Sequence, residues 1–176
     1  MASSRQDISE VSIVASCRSR DEANLTQQLM IACGVQNYIV RSDLRASIER
    51  IVNAKPDVAL IVFDNDEDRV LEFFRVVRGR HFEGNRYLPV IAAPWRPSIA
   101  EIKLAINLGA SEIVSMPSNT EAMSRAIYRS VFVGRPFIDV ATYFGPCRRR
   151  KQIANFGKEK RKMAWDYSHT SLLQAV

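Results

Sequence analysis

The segment Lys55–Asp68, KPDVALIVFDNDED, decides the fold. An almost wholly apolar run centred on Val58–Phe63 passes directly into four acidic side chains, Asp64, Asp66, Glu67 and Asp68. A run rich in Val and Ile, opened by Pro56 and lacking polar alternation, is the pattern of a strand buried on both faces. Parallel sheets covered by helices contain such strands. In open sheets of that kind, ligands gather beyond the carboxyl ends of the strands. Val62 and Asp64 therefore sit where function is expected.

The same strand-and-helix unit recurs on both sides. Before the central strand come a short strand, Val11–Cys17, and a helix over Asp21–Cys33 with Leu25, Leu29 and Cys33 at helical spacing, closed by Gly34. A second strand at Tyr38–Val40 precedes a helix capped by Ser42 or Asp43, with Leu44, Ile48, Ile51 and Val52 on one face. After the central strand, Val70, Leu71, Phe73, Phe74, Val76 and Val77 mark a third helix, broken by Gly79, Gly84 and Asn85. Strand Leu88–Ala93, helix Ala100–Leu108, strand Glu112–Ser115 and helix Thr120–Val133 complete the series, the last with Ala122, Met123, Ala126, Ile127 and Val131 inward. Five βα units predict a doubly wound parallel α/β sheet, a (βα)5 fold. The flavodoxin-like strand order 2-1-3-4-5 is the common solution at this size, although periodicity alone does not select it.

Composition narrows the function classes. No apolar run approaches the roughly 18 residues that span a bilayer. The start, MASSRQDISE, lacks an apolar signal core, and the three cysteines are far apart without metal-type spacing, so a cytoplasmic chain with reduced thiols is expected. Two histidines leave little material for a zinc site or a His-based triad. Gly-rich phosphate loops, nucleophile elbows and Rossmann fingerprints are absent from the sequence. Charge is uneven: residues 1–134 hold 16 Lys/Arg and 16 Asp/Glu, whereas residues 135–176 hold nine and three, so the net charge of +6 belongs to the tail. The chain thus divides into a flexible start (1–10), a neutral body (11–134) and a basic C-terminal extension (135–176), for which an anionic partner is expected.

Three stretches, PDVALIV, LPVIAA and GASEIVSMP (Gly109–Pro117), resemble the receiver domains of bacterial response regulators, the CheY-like fold, over about residues 11–133. The resemblance implies phosphoryl transfer to an aspartate at the end of strand three. It also implies an acidic pair after strand one for Mg²⁺, Thr or Ser after strand four, and Lys before the proline after strand five. Here those positions fall on Val62, on Ala15 and Ser16, on Pro94, and on Met116. Without carboxylates for Mg²⁺ or a lysine for the phosphoryl oxygens, transfer loses its electrostatic stabilisers. A pseudo-receiver is the expectation, with no catalytic residue, metal or cofactor. Asp64 is the rival phosphoacceptor, with Asp66 and Asp68 standing in for the acidic pair. Consecutive carboxylates do not converge as metal ligands do, however, and they also suit a solvated helix N-terminus. Trp95, beside Arg96 in a Pro-Trp-Arg-Pro segment, is either a partner anchor or a lid over the emptied pocket. Met116 reads as filler, and the family implies a cis bond before Pro117.

The extension repeats itself. Phe144-Gly145-Pro146-Cys147-Arg148-Arg149-Arg150 is followed, 12 residues on, by Phe156-Gly157-Lys158-Glu159-Lys160-Arg161-Lys162. The repeat is similar to YxGPxRR-type tails that follow receiver domains in some bacterial proteins. Aromatic and cationic side chains so interleaved suit phosphate, a nucleobase or an acidic protein groove, against the plain alternative of a solvated basic tail. The last stretch, with Trp165, Tyr167, Leu172, Leu173 and Val176, is too apolar for a free tail. These readings converge on a two-component signalling adaptor that works by protein–protein contact, without phosphorylation. The family implies contact through the fourth helix, fifth strand and fifth helix, and a homodimer is compatible with it. An Asp64 phosphoacceptor and a cyclic di-GMP or nucleic-acid binder are the alternatives.

Overall fold

The computed structural model describes residues 7–148 and, for the backbone alone, Arg161–Lys162. Strands β1 (Ser12–Ser16), β2 (Asn37–Arg41), β3 (Val58–Phe63), β4 (Val90–Pro94) and β5 (Glu112–Ile113) form one parallel sheet in the order 2-1-3-4-5. Helices α1 (Arg20–Ala32), α2 (Leu44–Ala54), α3 (Glu67–Val77), α4 (Ile99–Leu108) and α5 (Thr120–Tyr128) alternate with them. The flavodoxin-like α/β architecture read from the sequence is the one observed.

Every residue of β3 is buried, as a central strand of a covered parallel sheet must be. Its side chains alternate between two cores. Val58, Leu60 and Val62 join Ala15, Ile91, Ala93, Met123 and Ile127 on the α1–α5 face. Ala59, Ile61 and Phe63 join Val14, Phe73, Phe74 and Val90 on the α2–α3–α4 face. Among the described residues no helix is long and apolar enough to cross a membrane.

Helix faces depart from the sequence pattern in two places. In α1 the buried positions are Glu22, Thr26 and Met30, while Leu25 is exposed. The stripe shifts because the polar pair finds internal partners: the Cys17 thiol donates to Thr26 Oγ1, and the Arg18 backbone N–H donates to Glu22. Ala122, expected inward, lies exposed in the first turn of α5, where Asn119 caps its N–H. That helix ends at Tyr128 and closes through a π-helical turn, Arg129–Val133. Asp43 caps α2 by accepting from Ala46 N.

The body does not stop packing at Gly134, where the charge balance changes. Beyond it, β6 (Phe137–Val140) and β7 (Tyr143–Pro146) make an antiparallel hairpin, and the backbone of β8 (Arg161–Lys162) pairs with the other edge of β6. The hairpin folds back over the α3–β4 loop and the α4–β5 turn. Gly109 and Gly145 meet there: a Cβ on Gly145 would stand 2.8 Å from the Gly109 Cα, and one on Gly109 would stand 3.0 Å from the Phe144 carbonyl oxygen. Gly109 also caps α4 at φ 98°, a left-handed conformation that favours glycine.

Beneath this contact lies Arg78, 7% exposed and without an acidic partner among the described residues. Its guanidinium donates to the carbonyls of Arg86 (2.7 Å), Leu88 (2.8 Å) and Gly109 (3.0 Å), and sits 5.1 Å from the centroid of the buried Phe137 ring. Burial pushes its pKa down to about 9, with Tyr143 opposing and Arg86 adding to the effect, so it remains charged at neutral pH. The hairpin is thus the lid on a buried cation. A chain ending at Gly134 keeps all five βα units but loses Phe137, a side chain whose removal typically costs about 3 kcal/mol or more. In thermal unfolding it should still melt cooperatively, about 10 °C below a chain ending at Lys151; equal melting temperatures would show that the hairpin contributes nothing.

Candidate functional site

Four strands deliver their last residues to one end of the sheet. Ala15 and Ser16 close β1, Val62 precedes the end of β3, Pro94 closes β4, and Met116 follows β5. The rim is continued by backbone pairing beyond the regular strands. Trp95 N–H donates to Phe63 O, Met116 N–H to Pro94 O, and Arg96 N–H to Met116 O. Trp95 and Met116 thereby form a parallel bridge, and the Met116–Pro117 bond is cis. Arg96 is exposed at φ 42°.

What fills this end is hydrocarbon. Ala15, Val62 and Ala93 are fully buried in one cluster with Met116, itself 5% exposed, and Trp95 packs against them half-buried. A cluster of this kind has no group that could neutralise a metal ion or a phosphoryl oxygen. Ser16 is buried too, and its hydroxyl oxygen accepts from Arg69.

The acidic run after β3 disperses. Asn65 has φ 47° and carries the chain away from the strand, so Asp64 does not extend it. The Asp64 carboxylate faces the Arg18 guanidinium at 3.7 Å, and its backbone carbonyl accepts from the same group. Asp66 caps α3 by accepting from Arg69 N, while Glu67 and Asp68 lie exposed in the first turn. Among the described residues no three His, Cys, Asp or Glu side chains are placed to hold a metal ion.

Two arginines absent from the sequence reading organise this rim. Arg69 Nη2 reaches from α3 to Ser16 Oγ (2.9 Å) and Cys17 O (2.6 Å). Arg18 joins Asp64 to Glu22. Both sit in polar stretches that look solvated, and no periodicity distinguishes an arginine that reaches across a loop. On the far side, Glu101 completes a capping box with Ser98. The Ser98 backbone N–H holds its carboxyl below the usual range against the opposing effect of burial, with the Ser98 hydroxyl and the Asn65 N–H contributing.

The basic extension is engaged with the body where it is described. Phe144 is half-buried, edge-on to Tyr87 (centroids 5.2 Å) and tilted against Phe137 (5.5 Å), with the Arg86 guanidinium 3.5 Å above its ring. Arg148 lies 3.9 Å over the Tyr143 ring and donates to Asn107 O on α4. Phe144 therefore holds the hairpin, whatever else it touches. Arg161 and Lys162 pair with Ile138 and Phe137 through their backbone. Arg149, Arg150, Phe156 and Lys160, and the apolar terminus from Trp165, lie outside the described residues.

The geometry matches known structures at the level of the fold. The chemotaxis protein CheY4 of Vibrio cholerae superposes with a TM-score of 0.54 at 18% identity, covering 68% of this chain and 98% of that one. A signal receiver domain of a two-component histidine kinase from Clostridium thermocellum gives 0.55 at 15%, over 70% and 98%. A protein of Burkholderia pseudomallei described as pilus assembly-related gives 0.58 at 13%, over 70% and 91%. The fold is that of a receiver domain. No protein-family model matches the chain, and no curated protein matches it. At the carboxyl end of this sheet the side chains present are those of Ala15, Val62 and Met116.

The Cys17 side chain, at the end of β1, is a pH probe of the buried rim. Burial pushes its thiol up from 9.0 to about 11, with Thr26 opposing, Glu22 raising it further and Arg69 opposing. The folded state then holds a proton that the unfolded state releases first, so stability is full below about pH 9 and falls as pH rises towards 11. The expected loss is about 3 kcal/mol at most, read as the difference between wild type and Cys17→Ala in urea unfolding at pH 8 and pH 10.5. Parallel pH profiles for the two proteins would contradict it.

Proposed function

We propose that this chain is a receiver-like signalling adaptor that acts by protein–protein contact and does not accept a phosphoryl group. The observation that carries the reading is the plug of Ala15, Val62, Ala93 and Met116 under Trp95. Phosphoryl transfer proceeds by positioning and electrostatic stabilisation, and an apolar strand end supplies neither. The partner is another signalling protein, which meets the face made by α4, β5 and α5. Its far end is already occupied by the chain itself: Arg135 donates to Glu112 of β5 at 3.0 Å, Arg148 donates to α4, and Gly145 sits on Gly109. The accessible part is the Trp95–Ile106 half, where Ile99 is 73% exposed. The basic extension is a second attachment for an acidic surface or nucleotide, and Phe144 and Gly145 of its first repeat lie on a hairpin fixed to the body.

Beryllofluoride, a phosphoryl mimic, tests the inert site directly. With Mg²⁺ it should leave tryptophan fluorescence unchanged at any concentration, even though Trp95 lies on the plug. A saturable, Mg²⁺-dependent response that Asp64→Asn abolishes would replace the adaptor with a phosphorylated switch.

A further inference from the structure

The loop between β3 and α3 leaves the strand at Asp64, turns through a left-handed Asn65 and enters the helix at the Asp66 cap. A short polar loop of this kind, with exposed carboxylates, is ordinarily among the first parts of a fold to open. Here it is tied from both sides. From the turn after β1, Arg18 Nη1 donates to the Asp64 carbonyl at 3.2 Å while Nη2 lies 3.7 Å from the Asp64 carboxylate and 3.4 Å from Glu22. Across the same gap, Arg69 binds Ser16 Oγ and Cys17 O, and its own backbone N–H is held by Asp66. On the α4 side, the buried Glu101 carboxylate accepts from the Ser98 backbone N–H and hydroxyl.

We infer that Arg18 and Arg69 form a permanent clasp that holds the loop after β3 against the end of β1, so that the strand-end rim keeps one conformation with no cation or phosphoryl group bound. The two arginines are unequal. Arg18 is half exposed, and its ion pairs are screened by solvent. Arg69 is partly buried, and both its bonds are charge-assisted hydrogen bonds to groups fixed by the sheet. Arg69 is the main tie and Arg18 an outer stay. The positive charge that joins β1 to this loop is thus covalently part of the chain, and the surface offered beside Trp95 does not depend on a bound ion.

This inference goes beyond the proposed function and has a separate readout. Hydrogen exchange on the full chain, followed by mass spectrometry, should show slow amides in residues 64–68 that neither EDTA nor Mg²⁺ alters. Arg69→Ala should raise exchange in that segment at least tenfold, and Arg18→Ala less than threefold, with β3 amides unchanged in both. If Arg69→Ala also loosens β3, Ser16→Ala provides the milder variant: it removes one acceptor without touching charge and should raise loop exchange about threefold. Wild-type protection that requires Mg²⁺ would overturn the clasp. So would loop exchange in Arg69→Ala and Ser16→Ala that matches wild type. Neither result bears on beryllofluoride, which decides the inertness of the strand ends alone.

Discussion

Val62 is fully buried among apolar side chains, and the character of this end of the sheet depends on that. The position lies on the central strand, flanked by β1 and β4, so its side chain must be matched by those of both neighbours. Ala15 and Ala93 leave room for it, and Met116, a flexible and unbranched side chain, closes the remaining gap. A carboxylate at any of these places would be buried without a counter-charge, at a cost far above that of a misfit methyl group. The four side chains are therefore mutually dependent, each packed against apolar neighbours. Trp95 then covers an apolar surface, as an aromatic side chain does favourably.

At the opposite end of the sheet a second constraint acts through Arg78. A buried guanidinium without an acid beside it must spend its donors on carbonyls, and two loops supply three of them. The arrangement fixes the α3–β4 loop and the α4–β5 turn to each other, and the Phe137 face shields the charge from above. Gly109 and Gly145 permit the backbone approach that brings the hairpin down. The first aromatic–glycine motif of the extension thus has a packing duty, and Arg148 lies back against Tyr143 and α4. The two ends of the domain are built on opposite principles, a dry apolar plug at one and a caged cation at the other.

The fold was legible because βα periodicity is carried by the buried strands themselves: Val58–Phe63 and Val90–Ala93 can hardly be read otherwise. The strand ends were reached through the resemblance, which points to Ala15, Val62 and Met116 together; all three lie in one buried cluster. Polar packing was not legible. Leu25 looked inward, yet it is exposed and Glu22 is buried instead, held by the Arg18 N–H. Arg69 and Arg78 resemble ordinary helix-surface cations, because nothing local reveals that carbonyls from other strands and loops will surround them. The hairpin was hidden for the same reason: its short strands alternate with glycine and proline, and its register depends on contacts with the body.

The central claim is that the strand ends form a sealed apolar plug, and Val62→Asp tests it most directly. Urea unfolding of this variant, with and without Mg²⁺, should show a loss of about 4 kcal/mol that the ion does not restore, because a lone carboxylate there meets neither water nor a second ligand. A variant as stable as wild type, and further stabilised by Mg²⁺, would contradict the plug and show that a metal-binding receiver site persists beneath Trp95.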